Sequence, residues 1–141
     1  MAYHERPWEF GRKATRRVHF FPEGGHRVGE LPQRIAYLVT DGRDTPIADT
    51  LRLYDNAGQE ILTSVPQHLG MGSFILPTGF EGGEVRIGGK TFALPTAVPE
   101  CCAVKMQTEA DSLSFLLSQR KEEPRPIAMA LLCREHLIWC D

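Results

Sequence analysis

The spacing of glycine and proline limits the fold of this chain more than any other feature. Thirteen glycines and ten prolines break the sequence into runs of strand length, and both residues disfavour a long helix. Within the runs, apolar and polar residues alternate with a period of two. Val18 and Phe20 share one strand face; Ile35, Tyr37 and Val39 share another, with Ala36, Leu38 and Thr40 opposite. Leu51 and Leu53 alternate with Thr50, Arg52 and Tyr54 before Asp55-Asn56-Ala57-Gly58, a strong turn signal. Ile61, Thr63 and Val65 continue the alternation, and Gly70 and Gly72 bracket Met71 ahead of Phe74, Ile75 and Leu76. Val85 and Ile87 lead into the hairpin dipeptide Gly88-Gly89, with Phe92 and Leu94 on the return strand. The run Ala110 to Lys121 can be placed on a helix, but Leu113, Phe115 and Leu117 fit period two better. Many short strands with regular turn signals predict an all-β, antiparallel sandwich.

The same pattern divides the chain. Residues 1–17 read as a lead-in or the remnant of a preceding module. Residues 18–99 supply about seven strands, enough for one sandwich of immunoglobulin size. Pro95 and Pro99 disfavour continuous pairing and suggest a linker there. Residues 100–141 then hold four expected strands, Cys102–Thr108, Ser112–Gln119, Ile127–Cys133 and His136–Cys140, as an incomplete second module. The apolar finish at Trp139-Cys140-Asp141 leads us to expect a chain cut from something longer. A strand such as Ile127–Cys133, apolar on both faces, needs cover on both, from the first domain or from the remainder. The exposed edge predicts a strand-swapped or edge-paired homodimer.

Composition removes several function classes. With a net charge of −2 and 42% hydrophobic residues, the chain is an ordinary globular sequence with no general field for nucleic acid or anionic membrane. No apolar run approaches bilayer-spanning length, and the start MAYHERPWEFGRKATRR lacks the apolar core of a signal peptide. Cys101, Cys102, Cys133 and Cys140 form no CxxC pair. Adjacent Cys101 and Cys102 point to opposite faces of a strand, so they are expected to be half-buried thiols and not zinc ligands.

Each candidate for chemistry has a plainer explanation. His19, Glu23 and His26 flank a Pro-Glu-Gly-Gly turn and could converge on a divalent ion, yet His19 alternates with Val18 and Phe20 and so faces solvent. Asp41, Asp44, Asp49 and Asp55 lie in or beside turns; DGRD resembles the start of a calcium loop but lacks its alternating ligands and closing glutamate. Ser73 in GMGSF, with His68 nearby, has no strand–turn–helix elbow around it, and Cys101 or Cys102 has no placed histidine. The glycine pairs in EGG, EGGE and IGGK lack the context of a phosphate cradle. Arg12, Lys13, Arg16 and Arg17 make a small basic patch, read as a solvated lead-in. Tyr3, Trp8 and Phe10 either dock on the sandwich or mark a leftover strand of a preceding domain; a sugar-binding aromatic platform ranks below both, because no patterned polar set accompanies them. No catalytic, cofactor-binding or metal-binding residue is assigned.

The ordered phrases HFFPEGG, LPQRIAYLVTD, YDNAGQEI, HLGMGSFILPT and GGKTFALP resemble macroglobulin-type β-sandwich domains of large exported bacterial proteins. These proteins, frequent in Bacteroidetes, look like strings of alpha-macroglobulin domains and often occur with TonB-dependent outer-membrane systems. The resemblance covers roughly Val18 to Pro99 and continues more weakly over Ala103–Asp141. It implies an immunoglobulin- or macroglobulin-like sandwich in the cell envelope, periplasmic or outer-membrane associated. Its expected partners are neighbouring domains of the same parent chain and an outer-membrane receptor or other envelope protein. The thioester phrase GCGEQ of protease-trapping macroglobulins is absent, and Cys101-Cys102 sits in ECCAV instead.

The sequence therefore predicts a non-enzymatic structural and interaction module, without cofactor and without nucleic acid. The rivals are a carbohydrate-binding module of a glycan-uptake system, which needs a row of exposed aromatics, and a hydrolase fragment using His68 and Ser73, or Cys102. Phe20, Tyr37, Leu53, Phe74 and Phe92 are the expected core; Gly24, Gly25, Gly58, Gly88 and Gly89 are the expected turn glycines.

Overall fold

A computed structural model of the chain describes residues 15–99, 102–119 and 126–140. The period-two runs become strands: β1 (Arg17–Pro22), β2 (Gln33–Thr40), β3 (Leu51–Asp55), β4 (Glu60–Ser64), β5 (Met71–Leu76), β6 (Gly83–Ile87) and β7 (Lys90–Ala93). They form two antiparallel sheets, ordered β1-β2-β5 and β4-β3-β6-β7. Two further hairpins follow, β8 (Cys102–Glu109) with β9 (Ser112–Gln119), and β10 (Ala130–Cys133) with β11 (His136–Cys140). None of the described residues is helical, so among them no helix is long and apolar enough to cross a membrane.

The inner faces of the two sheets meet in one core. Ile35, Tyr37 and Val39 of β2 and Phe74 and Leu76 of β5 come from one sheet, and Leu51, Leu53, Val85 and Ile87 from the other. Burying such side chains between two sheets is the main stabilising term of a sandwich. Phe20 and Phe92 pack against this core but stay half-buried. They belong to β1 and β7, which each have a neighbour on one side only. Gly24, Gly25, Gly58, Gly88 and Gly89 all take the positive φ expected of turn glycines.

Two segments differ from the pattern. In β4 it is Leu62 and Ser64 that face inward, while Ile61 and Val65 are exposed, Val65 by 66%. The register shift opposite Leu53 and Tyr54 sets that parity. The third of the late strands is shorter than expected: β10 begins at Ala130, opposite Cys140 of β11.

A buried hydroxyl group joins the sheets. The Tyr37 ring is 1% exposed, and its hydroxyl lies 3.2 Å from the Ser64 carbonyl and 3.1 Å from Ser64 Oγ. Ser64 Oγ donates in turn to the Ser73 carbonyl at 3.1 Å. Burial raises the Tyr37 pKa above its ordinary 10.0, the Ser64 bond opposing. The folded chain thus holds this proton more tightly than the unfolded one. Its stabilising effect is complete below pH 10 and is lost as pH rises above it. Alkaline titration of the unfolding midpoint should show a steeper fall above pH 10 for the wild type than for Tyr37→Phe; equal slopes would refute the assignment.

Candidate functional site

The turn after β1 is organised from below by one buried amide. Gln33, 3% exposed, donates from Nε2 to the carbonyls of Glu23 (2.7 Å) and His26 (2.6 Å), and its Oε1 accepts from the Val28 N–H at 3.0 Å. A buried amide must have its hydrogen bonds made, and here three loop backbone groups make them. The turn so held carries two attachment points for the chain that follows the sandwich.

The first is Glu23-Gly24. Glu23 Oε1 accepts the Met106 backbone N–H at 2.8 Å, across 83 residues of sequence. Gly24 lies against β8 closely enough that a Cβ there would press on Val104 Cβ at 3.2 Å, in a turn whose φ of +91° already favours glycine. The second is Arg27, 5% exposed. Its guanidinium donates to the carbonyls of Pro95 (3.2 Å), Phe80 (2.9 Å) and Glu81 (3.3 Å) and stands 5.7 Å from the Phe80 ring centroid. Its backbone carbonyl accepts the Val98 N–H at 2.7 Å, next to a parallel bridge between Val28 and Val98. Burial pulls the Arg27 pKa down, and its Nε is buried without a partner among the described residues. The proline-containing stretch expected to be a linker is thus fastened along the end of the sandwich.

β8 and the outer face of the β1-β2-β5 sheet enclose a cleft. Its inner part, about 170 Å³, is lined by Glu23, Arg34, Ile75, Ala103 and Leu116; its open part, about 660 Å³, by Phe21, Ala36, Ile75 and Met106. Phe21 and Ile75 are more than half exposed there.

The sequence candidates fall in separate places. His19 and His26 are exposed, Glu23 is engaged by Met106, and among the described residues no three His, Cys, Asp or Glu converge on one point. Asp41 accepts the N–H groups of Arg43 (2.7 Å) and Thr45 (2.9 Å); the Thr45 bond and then the Arg43 bond hold its carboxyl below the usual range. Asp55 closes its turn the same way, on Ala57 and Gln59. Asp44 and Asp49 meet the basic patch instead, pairing with Arg17 and Arg16, while Arg12 and Lys13 lie outside the described residues. Ser73 is an exposed residue of β5 and His68 an exposed loop residue, with no hydrogen bond between them among the described residues. Cys102 is half-buried as expected, but Cys133 and Cys140 are exposed, since their two-stranded ladder has no third strand among the described residues; all three are free thiols. Cys101, Tyr3, Trp8 and Phe10 lie outside the described residues. Phe21 is the one exposed aromatic among residues whose burial is described.

Gln33 and Arg27 belong to no chemical motif in the sequence. Gln33 carried a signal: its parity with Ile35, Tyr37 and Val39 places it on the inner face. Arg27 carried none. The chain matches no family model, no curated protein and no solved structure.

Proposed function

We propose that this chain is a non-catalytic structural and interaction module of a larger cell-envelope protein, built on an immunoglobulin-like sandwich of the macroglobulin type. The sheet orders β1-β2-β5 and β4-β3-β6-β7 resemble the immunoglobulin arrangement, with the fourth strand paired to the third. The phrases around FFPEGG and GMGSF support the macroglobulin type and, through it, the envelope setting and partnership with neighbouring domains of a parent chain.

One observation carries the functional reading. The connection leaving β7 is fastened to the sandwich by Arg27 and Val28, and the next hairpin is seated on Glu23-Gly24. Domains joined by free linkers reorient by default, whereas this construction holds the following hairpin at a set angle. It is the construction of a stiff spacer. Backbone relaxation by NMR tests it. Sandwich and β8–β9 hairpin should share one correlation time, with order parameters near 0.85 at the amides of Leu94, Thr96, Ala97 and Val98. Arg27→Met should lower those order parameters below about 0.6 while the β2 and β6 amides stay rigid. A hairpin that tumbles independently in the wild type would end the spacer reading.

A further inference from the structure

β8 and β9 are joined by the two residues Ala110-Asp111, with Glu109 opposite Ser112. In such a hairpin the pair flanking the loop exchanges both backbone bonds, and bonded pairs then recur at every second residue. The bonded pairs are therefore Glu109–Ser112, Gln107–Ser114, Lys105–Leu116 and Ala103–Ser118. The N–H and C=O groups of Val104 and Met106 on β8, and of Leu113, Phe115 and Leu117 on β9, point away from the ladder. On the β8 side the sandwich engages one of them: the Met106 N–H donates to Glu23, which is independent support for this alternation. On the β9 side no strand pairs with them among the described residues.

Edges left open in a soluble fold are normally blunted by charge, proline or shortness. The sandwich follows that rule: β1 begins with Arg17 and ends with Pro22, β4 begins with Glu60, β7 has four residues starting at Lys90, and β5 runs into Pro77. β9 breaks it. Its eight residues, Ser-Leu-Ser-Phe-Leu-Leu-Ser-Gln, hold neither charge nor proline. Its pattern is also symmetric: Leu113 and Leu117 stand at equal distances either side of Phe115, on the same face and with the same outward backbone groups.

We propose that β9 pairs with β9 of a second copy of this chain, antiparallel about a two-fold axis through Phe115, making the four-stranded sheet β8-β9-β9-β8. In that register Phe115 opposes Phe115 of the second copy, and Leu113 opposes its Leu117. Every outward N–H of these residues finds an outward C=O, and no like charges face each other. The closed two-fold consumes the β9 edge of each copy, so this contact makes a dimer and not a filament. Leu113 and Leu117, 44% and 37% exposed in the single chain, become cross-strand contacts. The inference is independent of the spacer reading: a monomeric chain overturns the dimer and leaves that reading standing.

Sedimentation equilibrium of the full chain under reducing conditions tests it. The wild type shows a monomer–dimer equilibrium. Phe115→Pro removes an N–H that β8 does not use, and weakens the dimer at least ~10-fold with the thermal unfolding of the sandwich kept. The double variant Leu113→Lys/Leu117→Lys sets lysines opposite each other and is monomeric. Leu113→Lys/Leu117→Glu sets opposite charges in the same register and dimerises again, more weakly at high salt. A wild type monomeric at all concentrations, a dimer indifferent to Phe115→Pro, or a Lys/Glu variant as monomeric as the Lys/Lys one overturns the proposal.

Discussion

Valine at Gly72 is expected to cost the sandwich about 3 kcal/mol or more, near the upper end of what overpacking does in a filled core. Gly72 lies directly opposite Tyr37 in the β2–β5 ladder, and the tyrosine ring crosses the space a side chain would take. A Cβ at Gly72 would stand 2.5 Å from both Cζ and the hydroxyl oxygen of Tyr37. The ring cannot swing aside without giving up its bonds to Ser64 and its packing on Phe74, at 6.1 Å between centroids. The two positions should therefore be coupled. In a Tyr37→Leu background, which empties the space near the old ring tip, Gly72→Ala should cost clearly less than it does alone. Urea melts of the four chains supply the cycle. A Gly72→Val midpoint close to wild type would show that the ring does not occupy that space in solution.

Truncation of two phenylalanines should separate residues that share a periodicity but not an environment. Phe74 is 6% exposed, between the sheets, and Phe74→Ala should cost about 3–5 kcal/mol. Phe20 is half-buried on an edge strand, and Phe20→Ala should cost about 1–2 kcal/mol, since much of its surface keeps its water. Equal losses in a denaturant melt would mean that β1 is covered in solution by something further.

That pair also shows how far the sequence could be read. Period-two alternation locates the strands and the inward parity of β2, β3 and β6, because side-chain direction in a strand is set locally. The turn glycines were legible for the same reason. What alternation does not carry is a strand's position in its sheet, and so Phe20 and Phe92 were grouped with Phe74. It also misleads where a register shift flips a face, as at Ile61 and Val65. The site shows a sharper limit. Glu23 looked like a metal ligand beside two histidines, but its partner is a backbone N–H 83 residues away, and no local pattern encodes a contact of that span. Arg27 has no local signal at all; only the closure of the sandwich end makes it the donor to three carbonyls. GMGSF, by contrast, gains a physical meaning. Gly72 makes room for Tyr37, while Gly70, at φ +74°, sits where a Cβ would stand 2.6 Å from the Val39 carbonyl oxygen and 3.0 Å from the Ile47 backbone nitrogen and oxygen.

The fastening of residues 94–98 also decides how the domain would answer tension. A pull applied beyond Pro99 reaches the Val98–Arg27 bond, the Val28–Val98 bridge and the Arg27–Pro95 bond before it reaches β7. These contacts must shear together, whereas β7, a four-residue edge strand, would otherwise unzip from β6 one pair at a time. Load therefore passes from the connector through Arg27 and Val28 towards Gln33 and the central strand β2, and bypasses the weakest edge of the sheet. In a chain of such domains, Arg27 would act as strain relief.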